Sequence, residues 1–479
     1  MGYYSMFAEA LLNGRLYLDL TPDRVQLMDM IPYQGRYYLQ WGPAPGLLHF
    51  IPRVFGVNLS DRVACLLAGW ASSLLFLQIT VVLRRRHFPT LPKWVCLISF
   101  WIFALGSPTA VVVLRPTIYN ECIAVAAVGF LGAFAALLRF QEQPSARWAL
   151  WCGLGVTLAF STRVTLAIYA VLLFLGLAAV EWMRKQPLQR AAVHLAAYAL
   201  PIVFGFAAQL AYNYGRFGSP WSYFPEYHPE TATFLPVFTL DRIPENIRHY
   251  LLALPEFSGD FPWIEHRGWQ PIEKVVRAES MSSMFLGTPV LLLGLLAIRF
   301  FRAKTDVPGD LKLTLGLAGL SGLMVFGVML MFHSASRRYM QDFTPMFLVV
   351  AFVGVASLWK PGADWRIWRA PALVLLLYMT VFHAHLSFMH SFVSLPSDLN
   401  VVHAVADFSP WVRHVLPGPN LDREEAIARN DIGTLYLRQR RFHQALAEFE
   451  RAGRLMPDSE VIQKNVRLAQ RLVGRGEAR

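Results

Sequence analysis

The chain has 479 residues, of which 55% are hydrophobic and only 16% charged, and it carries a formal net charge of +12. Its positive mean hydropathy excludes an ordinary soluble enzyme of this length and fits a protein that crosses a membrane many times. The excess of Arg and Lys fits loops that face anionic lipid headgroups and set topology, so no nucleic-acid partner is implied.

Met1 is followed at once by Gly-Tyr-Tyr-Ser, so the expectation is that this opening segment is not a signal peptide. The expectation is that a further membrane helix precedes residue 1. Apolar residues at 3, 6, 7, 10 and 11 then repeat with helical period, which predicts an amphipathic helix on the outer surface, ended by Gly14. Tyr33-Gln34-Gly35-Arg36-Tyr37 predicts a hairpin turn. A short apolar helix over 47–56 follows the prolines at 43 and 45.

Apolar runs predict about ten spans, near 62–83, 93–113, 118–139, 147–161, 164–183, 191–213, 283–301, 312–333, 340–358 and 367–388. The stretch 148–182 is too long for one crossing, and Ser161-Thr162-Arg163 breaks it into a hairpin with Arg163 at the tip. The fold class is therefore all-α, a polytopic transmembrane helical bundle. Cys65, Cys96, Cys122 and Cys152 all lie in apolar runs and read as small core residues.

One set of short loops holds most of the basic residues, from Arg84-Arg85-Arg86 to Lys360, Arg366 and Arg369. The positive-inside rule assigns that set to the cytoplasm. Residues 1–61, the long loop 214–282 and everything after 388 then face outward. The outer short loops retain only Arg115, Arg163, Arg337 and Arg338, which topology does not require there. Arginine forks match phosphate oxygens, and charges beside a span are costly, so these four are candidate phosphate ligands. The plainer role for such residues is snorkelling to the interface. Asn120 and Glu121 supply donors and acceptors at a helix start, or else cap it. Asp342 lies four residues after Arg338, which predicts an intrahelical ion pair.

Beyond a linker at 391–425 the composition changes. Ile432-Gly433, Tyr436, Ala445, Phe449, Ala452 and Pro457 follow the 34-residue tetratricopeptide pattern, and a capping helix is predicted near 460–473. A single repeat calls for support from the bundle, a protein partner or a second copy of itself. The predicted domains are an outer segment 1–61, a membrane domain 62–390, and the repeat with its cap, 426–473.

Four segments, taken together, resemble the GT-C class of integral-membrane glycosyltransferases, of the mannosyltransferase and aminoarabinose-transferase kind. They are Leu12-Asn13-Gly14-Arg15-Leu16, then Asp29 with Tyr33, Gly35-Arg36-Tyr37-Tyr38 and Gly42-Pro43, then Tyr212 to Pro220, and Arg338-Tyr339 with Asp342 and Pro345. They cover roughly residues 1–390. The resemblance implies a polyprenyl-phosphate sugar donor, a glycan, lipid or protein acceptor, and a bacterial inner membrane with the repeat on the periplasmic side. It also implies an acidic catalytic base in the first outer loop. Asp29 is the first candidate and Glu9 the second, although Asp29 also suits a turn and Glu9 the polar face of its helix. Arg337, Arg338, Arg163 and Arg115 would hold the lipid phosphate, and Tyr33, Tyr37, Asn120, Glu121, Tyr339 and Asp342 would line the substrate.

The chain shows no metal-ligand spacing and no nucleotide-binding loop, so no metal ligand is assigned, though the chemistry leaves room for a divalent cation. The alternatives are a membrane-anchored scaffold acting through the repeat and a transporter of lipid-linked sugars.

Overall fold

The computed structural model describes residues 2–20, 30–114, 117–222, 237–257, 264–265, 277–278, 282–302, 307–359, 365–394, 426, 429–430, 432–434, 436–437 and 441–477. Asp29 and Arg115, both singled out by the sequence, lie outside them. The chain divides into two compact units. The first is Met1–Ala253 with Gly268–Ser387, and the second is Leu254–Arg267 with Phe388–Arg479.

The first unit opens with α1 (Tyr3–Leu12), the hairpin β1 (Met30–Tyr33) and β2 (Arg36–Leu39), and α2 (Ala44–Val54). The bundle follows as α3 (Asp61–His87), α4 (Lys93–Leu105), α5 (Pro108–Leu114), α6 (Ile118–Glu142), α7 (Ala146–Thr162), α8 (Ile168–Met183) and α9 (Leu188–Phe217). It closes with α10 (Gly309–Met331), α11 (Thr344–Ala356) and α12 (Arg369–Ser394), the division between the units falling within α12.

Among the described residues, six helices are long and apolar enough to cross a membrane, or up to seven if the bent pair α4 and α5 makes one span. This is fewer than the ten expected. α7 has 17 residues, α11 has 13, and residues 289–298 wind as a 3-10 helix, so these runs are short of an independent crossing by length. The chain is an integral membrane protein whose wide apolar exterior, such as Leu200, Val203 and Phe204 on α9, suits lipid.

α6 is the axis of the bundle: 89% of its apolar window is buried, against 11% for α9. Glycines let the helices approach backbone to backbone. A Cβ on Gly129 of α6 would lie 2.7 Å from the Gly155 carbonyl oxygen of α7, and one on Gly153 would lie 2.2 Å from that of Tyr198 on α9. Charges sort to the two ends. Arg85 and Arg139 bond Glu142, and Arg86 bonds Asp310, at the end where α3 and α6 finish and α10 begins. The opposite end gathers the starts of α3 and α6, the break after α7, and residues 334–342.

Helix α1 begins and ends as expected, with Gly14 at φ 65° just beyond it. It does not merely lie on the surface, because Tyr4 and Phe7 are fully buried against the start of α6 and the end of α9. The hairpin turns on Gln34 and Gly35 at φ 50° and 72°, the conformation that a two-residue turn of this hand demands. Arg216 fastens it to α9, since Nη1 donates to the Leu39 carbonyl at 2.8 Å and Nη2 to Asn213 Oδ1 at 2.6 Å. The Tyr212–Phe217 motif is thus a scaffold joint, completed by Gly218 at φ 71°.

In the second unit, α13 (Phe442–Leu455) and α14 (Glu460–Glu477) pack with Ile432, Tyr436 and Leu437. Ile432, Tyr436, Ala445, Phe449 and Ala469 form a small core, and a Cβ on Gly433 would lie 2.6 Å from the Phe449 ring.

Candidate active site

The helix break predicted at 161–163 is the keystone of the polar end. α7 stops at Thr162, whose Oγ1 donates to the Leu158 carbonyl at 2.7 Å, and Arg163 leaves the helix in an extended conformation. Its guanidinium turns inward and pairs with Asp342, Nη2 to Oδ2, at 2.8 Å. Their side chains are 7% and 0% exposed, so this ion pair is removed from water. Burial pushes the Asp342 carboxyl up to about 6, with Arg163 pulling against the shift.

The expected pairing of Asp342 with Arg338 does not form. Residues Arg337–Asp342 wind as a 3-10 helix, with three residues per turn, so positions four apart no longer share a face. Arg338 instead lies over the Tyr119 ring, 4.4 Å from its centroid, and 5.5 Å from that of Tyr339. Tyr119 meets Trp41 edge-on at 5.3 Å. Arg163 sits 6.0 Å from the Trp41 ring and 5.2 Å from Tyr339. The five side chains close a ring of two guanidinium groups and three aromatic faces, drawn from four separate segments. Arg163 and Tyr339 form its buried side, while Arg338, Tyr119 and Trp41 are half-buried. Such a ring holds the two guanidinium groups in a fixed, partly desolvated position.

The remaining predicted residues disperse. Arg337 is buried and lines a separate small cavity with Thr288 and His383, so the adjacent arginines do not act as one fork. One residue along a 3-10 helix is about 120° of rotation, which separates them. Glu9 is on the exposed face of α1 and pairs with Arg53 at 2.9 Å. Tyr33 donates to the Phe217 carbonyl at 3.5 Å, and Tyr37 packs beside α1. Asn120 and Glu121 are both buried in the first turn of α6. Glu121 Oε1 meets His49 Nε2 of α2 at 2.6 Å, with Asp61 close by.

Trp41, Tyr119, His49 and Asp61 were not assigned from sequence. Trp41 precedes the Gly42-Pro43 pair and Tyr119 precedes Asn120, so proximity to motifs was their only signal. His49 lies 72 positions from Glu121 and carried none. Gly42 explains how the hairpin reaches the ring, because a Cβ there would come 1.9 Å from the Ser161 carbonyl oxygen. Only a bare backbone lets Trp41 rest against the α7 break.

No family model matches this sequence, and no curated protein matches it. The chain is similar to solved structures of ArnT and of an oligosaccharyltransferase. With ArnT from Cupriavidus metallidurans in the apo state it shares 13% identity at a TM-score of 0.41, over 98% of this chain and 70% of that one. With the same protein bound to undecaprenyl phosphate the values are 14%, 0.41, 99% and 73%. With the Archaeoglobus fulgidus oligosaccharyltransferase in the apo form they are 10%, 0.41, 87% and 56%. Likeness at that level carries nothing about the chemistry of this chain, which rests on its own residues.

Proposed function

We propose that the protein is a membrane glycosyltransferase that moves a sugar from a polyprenyl-phosphate donor to a glycan, lipid or protein acceptor on the periplasmic side. The observation that carries this reading is the ring of Arg163, Arg338, Tyr119, Trp41 and Tyr339, with Arg163 paired to the buried Asp342. Guanidinium groups held at the polar end of a membrane bundle suit a lipid carrier whose tail stays in the bilayer and whose phosphate reaches the ring. Sugar faces and aromatic rings are complementary partners for the rest of the donor.

In the proposed reaction the acceptor hydroxyl attacks the anomeric carbon. The bond from that carbon to the phosphate oxygen breaks, and the polyprenyl phosphate leaves. Arg338, with Arg163 behind it, stabilises the charge that grows on the leaving phosphate. A carboxylate takes the hydroxyl proton, and Asp29 keeps that role here. Asp342 holds Arg163 in position, and Arg337 and Arg115 are assigned to the donor's approach. The cytoplasmic side is assigned to the Arg85–Glu142 end by the positive-inside rule. The tail is read as one tetratricopeptide repeat with its cap, facing the periplasm and recruiting a partner or a second copy.

The test is sugar transfer from polyprenyl-phosphate sugars in proteoliposomes. The full chain should consume donor, Arg338→Ala should lose about 100-fold in turnover, and deletion of 420–479 should leave turnover in place. A scaffold gives the opposite ranking: the deletion abolishes function while Arg338→Ala and Asp29→Asn change nothing.

A further inference from the structure

Three side chains from separate helices meet at the same end of the bundle. His49 comes from α2, Asp61 from the first turn of α3 and Glu121 from the first turn of α6. One ligand atom from each lies within 4.8 Å of the others. We propose that they form a divalent transition-metal site of the zinc type, which joins the α1–α2 segment to the bundle.

Glu121 decides the matter. Its side chain has no exposure, Oε1 faces His49, and Oε2 has no hydrogen-bond partner among the described residues. Asp61 Oδ1 is also buried, with no hydrogen-bond partner among the described residues. A buried carboxylate oxygen left unmatched is costly, and two such atoms beside one imidazole ask for a cation. His49 is oriented for that role. The Leu59 carbonyl, 3.1 Å from Nδ1, can only accept, so Nδ1 carries the hydrogen. Nε2, which here faces Glu121 Oε1 at 2.6 Å, is then the nitrogen whose lone pair a metal would take, the arrangement of ligating histidines when a carbonyl fixes the other nitrogen.

Neutral imidazole with two carboxylates sums to two negative charges, the complement of a divalent ion. Both carboxylates stand at helix starts, whose partial positive charge they more than offset. One nitrogen and two oxygens favour zinc-like ions over magnesium or calcium, which take oxygen sets. Donor atoms around tetrahedral zinc lie about 3.4 Å apart. The present spacings, from 2.6 Å for His49 to Glu121 up to 4.8 Å, bracket that value. Asp61 is half-buried, so it is the outermost of the three side chains. Gly2 covers this flank, for a Cβ there would come 1.7 Å from Asp61 Oδ2.

The inference does not depend on sugar transfer, and its readouts are binding and spectra. The full chain in detergent is stripped with chelator and titrated with Zn²⁺ and, separately, Co²⁺. The expected results are about one tight zinc per chain and a saturable Co²⁺ ligand-field absorption. His49→Gln and Glu121→Gln should each weaken zinc at least about 100-fold. His194→Gln, which breaks the His194–Glu181 pair at the other end of the bundle, should leave zinc binding unchanged. Failure of the unaltered chain to bind zinc or Co²⁺ stoichiometrically overturns the inference whatever the variants do. So does retention of full affinity in His49→Gln.

Discussion

Replacing Arg163 by Met tests the keystone ion pair. The charge centres of Arg163 and Asp342 are about 4 Å apart, worth about 4 kcal/mol of attraction at an effective dielectric of about 20. Removing one partner leaves the Asp342 charge buried, and the expected loss of stability is about 3–5 kcal/mol. Adding Asp342→Leu removes the stranded charge and should recover most of that loss, so the two changes should be strongly non-additive. The sign of the pH dependence follows from Asp342. Its carboxyl is raised to about 6 by burial even with Arg163 beside it, and losing Arg163 raises it further. A raised carboxyl binds its proton more tightly in the folded state, so the variant's penalty is full above the raised pKa and shrinks as pH falls through it. Unfolding in mixed micelles, followed by tryptophan fluorescence at pH 5 and pH 9, reads both effects. A penalty below about 1 kcal/mol at pH 9, or one equal at both pH values, refutes the reasoning.

Gly42→Ala forces a Cβ to 1.9 Å from the Ser161 carbonyl, and should lower stability by about 1–3 kcal/mol while uncoupling Trp41 from the ring. A melting curve and the emission maximum of Trp41, set by difference against Trp41→Phe, read this. His333, depressed to about 4 by burial and by Arg242, should stabilise the fold above its ordinary value of about 6.5. That contribution, up to about 3 kcal/mol, is lost as pH falls from there through about 4, and His333→Gln should flatten this acid limb. Phe449→Ala empties the core of the tail and should cost about 3–5 kcal/mol there, read as proteolysis beyond residue 441 with the bundle left intact.

The local features were legible in the sequence because they depend on neighbours along the chain. Ser161-Thr162-Arg163 marked the end of α7, Gln34-Gly35 marked the hairpin, and Gly14 and Gly218 marked two helix ends. The packing residues of the tail, Ile432, Tyr436, Ala445 and Phe449, were also identified by pattern. The candidate site was legible only in part. Arg163, Arg338, Tyr339 and Asp342 were picked out by cost, as charged or polar groups beside spans. Their partners were not, since Arg163 meets Asp342 across 179 positions and His49 meets Glu121 across 72. The four-residue rule misled because residues 337–342 take the tighter 3-10 winding, which also turned Arg337 away from Arg338. The span count was overestimated where 3-10 winding and short helices broke long apolar runs.

Native mass spectrometry of the full chain with undecaprenyl phosphate addresses the ring as a receptor for a lipid-linked phosphate. The account predicts one bound lipid, with affinity reduced at least about 10-fold in Arg338→Ala and restored in part by Arg338→Lys. Equal binding by the unaltered chain and Arg338→Ala, or no binding by either, contradicts it.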